Sequence, residues 1–240
     1  AFGYIYALFA LAISTLFTIP LAKILTKNEK TKEKEIEIKD EQNSISLKEQ
    51  MKIAIKDKSY ILLNIGFFTC GFHVSFLVTH LPYEVALCGF SADVSAYSLA
   101  LIGFFNIFGS LYAGYLGTKY KMKYILAWIY FSRALMIFIY LLAVKTELTF
   151  YIFSVAIGFT WLATVPPTAG IVAKLFGVKY LATLFGLTLL SHQIGGFFGA
   201  YLGGIFVDSF GNFNLMWYFD IALALLAALI NIPIKEKSVE

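Results

Sequence analysis

The sequence predicts an all-α polytopic membrane protein, on three observations. Hydrophobic residues make up 59% of the chain and charged residues 14%, with a mean hydropathy of +0.76. A water-soluble domain of that composition would expose large apolar patches, whereas a bilayer is itself an apolar solvent. Apolar stretches near the roughly 20 residues that a helix needs to cross the hydrocarbon core recur along the chain. Lys and Arg are segregated onto alternate connections, as cytoplasmic retention of positive charge requires.

Seven stretches qualify: Ala1–Ala22, Ser59–Leu81, Val94–Gly117, Tyr124–Val144, Thr149–Ala173, Leu181–Val207 and Phe213–Pro233. The first begins Ala-Phe-Gly with no Met and no charged leader, and reads as a helix entered part-way. The last six are joined by short connections, so consecutive helices run antiparallel and pack as neighbours.

The linker Lys23–Lys58 differs. Lys23–Asn43 is rich in Lys and Glu with little to bury, and is expected to be disordered. Ser46 followed by Glu49 fits a capping box. Leu47, Met51 and Ile55 then recur every fourth residue, which predicts a short amphipathic helix lying on the membrane surface. The linker, Thr118–Lys123, Lys174–Tyr180 and the tail after Pro233 together hold 17 of the 19 Lys and Arg. The opposite connections hold Lys145 alone, and Arg133 lies inside a span. The linker and C-terminus are therefore expected on the cytoplasmic side of the inner (cytoplasmic) membrane.

Polar residues at depth are the candidate site. Arg133 lies near the middle of Tyr124–Val144, too far from either end to snorkel. It stays charged, and its fork suits a carboxylate, so it reads as an anion-binding residue or as the partner of Asp220 or of an acid elsewhere. His192, mid-span in Leu181–Val207, can carry a proton near neutral pH or pack as a satisfied histidine. Asn106 sits at mid-depth and can bond to a substrate or a neighbouring helix. Trp161 and Thr164, candidates to bind substrate with Arg133 and Asn106, precede Pro166 and Pro167, which remove two backbone donors and predict a break in Thr149–Ala173 whose freed carbonyls can line a cavity. Ser191, Gly195, Gly199 and Gly203 form one stripe of small residues, and Thr188, His192, Gly196, Ala200 and Gly204 the next. Such stripes let helices approach closely, and they suit either tight packing or a gating interface. Asp220 is the one acid placed within a span, in the outer third of the last, where it can reach the interface.

Cys70 and Cys88 match no metal or redox spacing, and His73 with His192 is a poor haem signal, so no metal or cofactor is expected. The chain carries no nucleophile elbow, phosphate loop or zinc-protease motif, so an enzyme is not expected, and neither is nucleic acid as a partner. Gly114–Lys123 and Gly204–Gly211 each end a Gly-rich helix with polar residues, a hint of an inverted repeat.

Gly114, Leu116, Gly117, Lys119 and Lys123 resemble the loop motif of the major facilitator superfamily, roughly Gly-x-Leu-Ala-Asp-Arg-x-Gly-Arg-Lys, with Thr118 at the acidic position and Lys121 at the second glycine. Phe176–Gly186, Ser191–Gly196, Trp161–Pro166 and Gly199–Asp208 resemble bacterial members of its monocarboxylate-transporter and oxalate/formate-antiporter branch. The resemblance implies a twelve-helix fold of two six-helix bundles. Residues 1–22 would be helix six, 23–58 the linker, 59–233 the second bundle and 234–240 a cytoplasmic tail. It also implies transport of a small organic anion by proton symport or antiport, with the lipid bilayer, the anionic substrate and the N-terminal half as partners. The branch places a key arginine in helix eight; here Val94–Gly117 has none and offers Asn106. The rival expectations are an efflux carrier for drugs or other solutes, which calls for intramembrane acids, and a membrane sensor or scaffold.

Overall fold

The computed structural model describes residues 4–16, 18–20 and 45–236. It divides into two units, residues 1–46 and 47–240. In the first, α1 spans Tyr4–Leu16, with Leu8, Phe9, Leu11 and Ile13 exposed. The expectation of disorder over Lys23–Asn43 falls outside the described residues.

The second unit is a helical bundle. It opens with α2, Leu47–Lys56, directly after Ser46. Gln50 and Ala54 are buried and Met51 packs against the bundle's apolar core, while Leu47 and Ile55 of the expected stripe are exposed, so only part of the stripe is spent on the bundle. The spanning helices follow: α3 Lys58–Leu87, α4 Ala92–Gly117, α5 Met122–Leu142, α6 Glu147–Thr160, α7 Val165–Phe176, α8 Leu181–Phe210 and α9 Asn214–Asn231. With α6 and α7 taken as one interrupted span, six spans among the described residues are long and apolar enough to cross a membrane.

The predicted break in the fourth span lies just upstream of the prolines, at Trp161–Thr164. Pro166 and Pro167 occupy the first turn of α7, where the missing N–H groups would lack an intrahelical partner anyway. One boundary differs in a way that matters. The first full span was expected to end at Leu81, yet α3 runs through Pro82 to Leu87 and carries Glu84 with it. The two Gly-rich ends compared above also differ. Gly211 closes α8 in the left-handed region (φ 71°), whereas α4 ends on Thr118 in the right-handed region.

Helix pairing follows the glycines. α3 packs along α8, and α4 along α6. An added Cβ would stand 1.8 Å from the His192 carbonyl oxygen at Gly71, and 2.0 Å from that of Phe68 at Gly195. At Gly109 it would meet the Phe159 carbonyl at 1.7 Å. Lipid gives helices no hydrophobic reason to associate, so such close backbone contact supplies the dispersion attraction instead. α5 packs on α9. Two large apolar clusters fill the bundle, and a small third joins Ala113, Ile125, Ile129 and Ala163. Of the large ones, one is built around Phe76, Tyr140, Phe153 and Trp217, the other around Tyr60, Phe67, Tyr130 and Leu184.

The segment after α9 docks on one end of the bundle. Ile234 is buried, and the Lys235 N–H donates to Ser59 Oγ at 3.0 Å. Glu236 accepts from the Lys123 N–H at 2.6 Å and from Lys174 Nζ at 3.0 Å. Residues 237–240 of the expected tail lie outside the described residues.

Candidate functional site

Between the two large apolar clusters lies a polar layer formed by α3, α5, α9 and the break. Breaking a helix orphans backbone groups, and in a membrane protein other residues must satisfy them. Val165 N–H folds back to the Leu162 carbonyl at 3.0 Å. The Trp161 carbonyl is thereby left without the partner a continuous helix would supply, and no Thr164 N–H bond reaches the Thr160 carbonyl either. Arg133 on α5 takes both: Nη2 donates to the Thr160 carbonyl and, at 3.1 Å, to that of Trp161. From α4, Asn106 Oδ1 accepts the Leu162 N–H at 3.0 Å. From α3, Cys70 Sγ lies 3.2 Å from Thr164 Oγ1. Three helices thus stitch the break.

Arg133 is 1% exposed, and its Cζ lies 5.6 Å from the centre of the Tyr130 ring. Its Nη1 lies 3.5 Å from His73 Nδ1 and 3.8 Å from Cys70 Sγ, and its Nε has no hydrogen-bond partner among the described residues. No carboxylate among the described residues lies within ion-pairing distance of it. A guanidinium carries donors only, so His73 Nδ1 must face it as an acceptor, which puts the His73 proton on Nε2. That Nε2 lies 3.1 Å from the Asp220 backbone carbonyl and 3.2 Å from Oδ1 of the Asp220 carboxylate. The backbone carbonyl takes the hydrogen bond. The carboxylate is in ionic range, but neither of its oxygens has a hydrogen-bond donor among the described residues. Asp220 is 0% exposed, so it turns inward rather than reaching the interface.

The other expected site residues fall in three places. Trp161 and Thr164 form the break and are buried. Gly195, Gly199 and Gly203 face α3, and Ser191 Oγ on the same stripe donates to the Asn64 carbonyl at 2.8 Å. His192 is half-buried against Phe67, with ring centres 5.0 Å apart, and its Nδ1 lies 3.4 Å from Gln193 Oε1. It shares no hydrogen bond with Arg133, His73 or Asp220 among the described residues.

A second buried carboxylate, Glu84, escaped the sequence reading. Tyr140 donates to its Oε1 at 2.6 Å and Trp217 Nε1 to its Oε2 at 2.9 Å, which ties α3, α5 and α9 together. Lys145 closes the end of α5 by donating to the Tyr140 and Ala143 carbonyls, with its ammonium 3.9 Å from the centre of the Tyr140 ring. Burial lowers its pKa from the usual lysine value, and Glu84 opposes that shift. No group of three or more metal-ligating side chains occurs among the described residues.

Asn106→Leu is expected to leave the Leu162 N–H unpaired and to cost about 1–3 kcal/mol. Thermal unfolding in detergent would register this as a lower midpoint. Asn106→Gln, which keeps a neutral amide acceptor, should recover part of it.

The chain is 28% identical over 184 residues to the uncharacterized MFS-type transporter YcxA of Bacillus subtilis (strain 168). That alignment takes in 73% of this chain and 44% of the relative, so the chain spans less than half the length of that protein. Residues 1–200 match the sequence profile described as the Major Facilitator Superfamily. With six candidate spans, a broken helix and buried charge inside the bundle, the chain belongs to the major facilitator superfamily, a family of membrane transporters and not of enzymes.

Proposed function

We propose that the whole protein is a secondary active transporter of small organic anions of the monocarboxylate or dicarboxylate class. It works by alternating access between two bundles, with residues 59–233 forming the second and residues 1–22 ending the first. The linker and C-terminus face the cytoplasm. The observation that carries the reading is the charge of Arg133, buried mid-bundle with, among the described residues, no carboxylate in ion-pairing range and one N–H unclaimed. A permanent cation there creates a positive potential that favours an anion. The resemblance to the monocarboxylate branch supports the same substrate class.

Asp220 supplies the coupling. With its carboxyl ionised, the layer of Arg133, neutral His73 and Asp220 is neutral overall. With Asp220 protonated it carries one positive charge, and an anion is favoured. His73 cannot readily take the proton, because a second ring N–H would point at the Arg133 donor. Proton and anion therefore bind together and leave together. Asn106, Trp161 and Thr164 act through the break, whose bending opens or closes the layer. The glycine stripe of α8 keeps α3 and α8 moving as one element. His192, half-exposed on α8, is the rival proton carrier.

The test is uptake of labelled lactate, pyruvate, formate and oxalate by the full-length protein in liposomes under an inward proton gradient. At least one anion should accumulate. Asp220→Asn should abolish gradient-driven accumulation while leaving exchange of internal for external anion, and His192→Gln should leave both. Accumulation lost in His192→Gln and kept in Asp220→Asn would transfer the proton to His192. If no carboxylate moves in folded protein, the substrate class is wrong.

A further inference from the structure

α4 leans on α6 rather than on α5, its neighbour in sequence. The gap between α4 and α5 is a groove of about 700 Å³, floored by Phe159, Thr160 and Ala163 at the far side of the helix break. Its long wall on α5 runs from Tyr124 to Met136. Twelve residues at ~1.5 Å each give about 18 Å, close to one leaflet of a hydrocarbon core roughly 30 Å thick. The walls are apolar and aromatic along this length, with Tyr112, Ile129 and Trp128 among them, and carry no acid. At one end the chemistry changes. Lys119 and Lys121, both exposed, stand at the mouth beside Tyr120, and neither has an ion-pair partner among the described residues. The N-terminus of α5 opens at the same end, with no side-chain cap from Lys121, and its dipole adds to the positive field.

We propose that this groove is a binding site for an anionic phospholipid. One acyl chain lies along α5 from Tyr124 to Met136, and the headgroup phosphate sits between Lys119 and Lys121. Charge complementarity selects the occupant. An apolar trough alone would accept any lipid, but two ammonium groups without an ion-pair partner among the described residues, that of Lys119 resting 4.5 Å from the centre of the Tyr115 ring, and a helix N-terminus select a negative headgroup. The chain end packs against the floor formed by Thr160 and Ala163, so the lipid braces the helix break from behind. The site is independent of what the protein transports.

Trp128 is 68% exposed on the groove wall, while Trp161 and Trp217 are 8% and 1% exposed, which makes Trp128 the reporter. The full-length protein is reconstituted in phosphatidylcholine vesicles. A minor fraction of lipid with brominated chains is added, either as phosphatidylglycerol or as phosphatidylcholine. The quenching that disappears in Trp128→Phe is compared between the two. The anionic lipid is expected to be preferred by on the order of tenfold. The preference should fall to near unity in Lys119→Gln/Lys121→Gln, whose changes are on the surface and leave the fold intact. Equal quenching by the two lipids, or a preference that survives the double variant, would each overturn the proposal.

Discussion

Replacing Gly199 with alanine is expected to unsettle the bundle, while the same change five residues on, at Gly204, is expected to be harmless. Both are glycines of one helix, and both lie on the small-residue stripes of α8. A Cβ at Gly199 would sit 2.2 Å from the backbone carbonyl oxygen of Phe72, an atom that cannot move without moving α3. At Gly204 it would meet nothing within 4 Å. Overpacking of this kind costs about 1–3 kcal/mol or more, because whole backbones must separate and the contacts at Gly71 and Gly195 open with them. Gly204→Ala, by contrast, relieves a helix of a glycine and should gain about 0.5–1 kcal/mol. Thermal unfolding of the two variants side by side reads the difference: a clear fall in midpoint for Gly199→Ala, and no fall or a small rise for Gly204→Ala. If Gly199→Ala melts with the parent protein, the close approach of α3 and α8 is not what holds that pair. The comparison also separates the two meanings of a small-residue stripe. Gly195, Gly199 and Gly203 are a packing surface, and Gly204 lies at its edge.

The contrast shows what the sequence could and could not announce. Spans were legible because hydropathy and length are local properties, and the break was legible because two adjacent prolines cannot donate. The glycine stripe was legible as a stripe, but its partner and its limit at Gly204 depended on how α8 crosses α3. Glu84 was missed for an identifiable reason. Pro82 reads as the end of a helix, which left Glu84 in a connection. In a bundle, neighbouring helices can satisfy the carbonyl that a proline frees, and α3 continues. Its partners Tyr140 and Trp217 come from helices remote in sequence, so no local pattern could join them. Asn106 and Arg133 stood out by type and depth alone. That they hold opposite sides of the same break, one accepting an N–H and the other donating to two carbonyls, required the tertiary arrangement. A polar residue at mid-membrane is thus legible as important, while its role rests on what faces it.

For Arg133 the two roles, structural clasp and anion site, predict different outcomes. Arg133→Ala is expected to fail in both. The Thr160 and Trp161 carbonyls lose their donor, each at about 1–3 kcal/mol, and a cavity opens beside Tyr130. Loss of transport in that variant would therefore teach little. Arg133→Lys is the informative change. An ammonium keeps the charge and can reach one carbonyl, so the protein should fold with a modest drop in thermal midpoint. It cannot reproduce the fork, and a lost charge-assisted hydrogen bond worth about 1.5–3 kcal/mol corresponds to roughly 10- to 100-fold in apparent affinity for the anion. The decisive companion is Arg133→Gln/Asp220→Asn. If Arg133 serves only to offset the charge of Asp220, removing both charges leaves a neutral hydrogen-bonding layer, and exchange of internal for external anion should be kept although accumulation is lost with Asp220. If Arg133 attracts the anion, the double variant should fold with a lowered thermal midpoint and lose exchange as well as accumulation. Asp220→Asn alone would still exchange. Exchange kept in the double variant would reduce Arg133 to the counter-charge of Asp220 and leave the anion site to be found elsewhere in the protein.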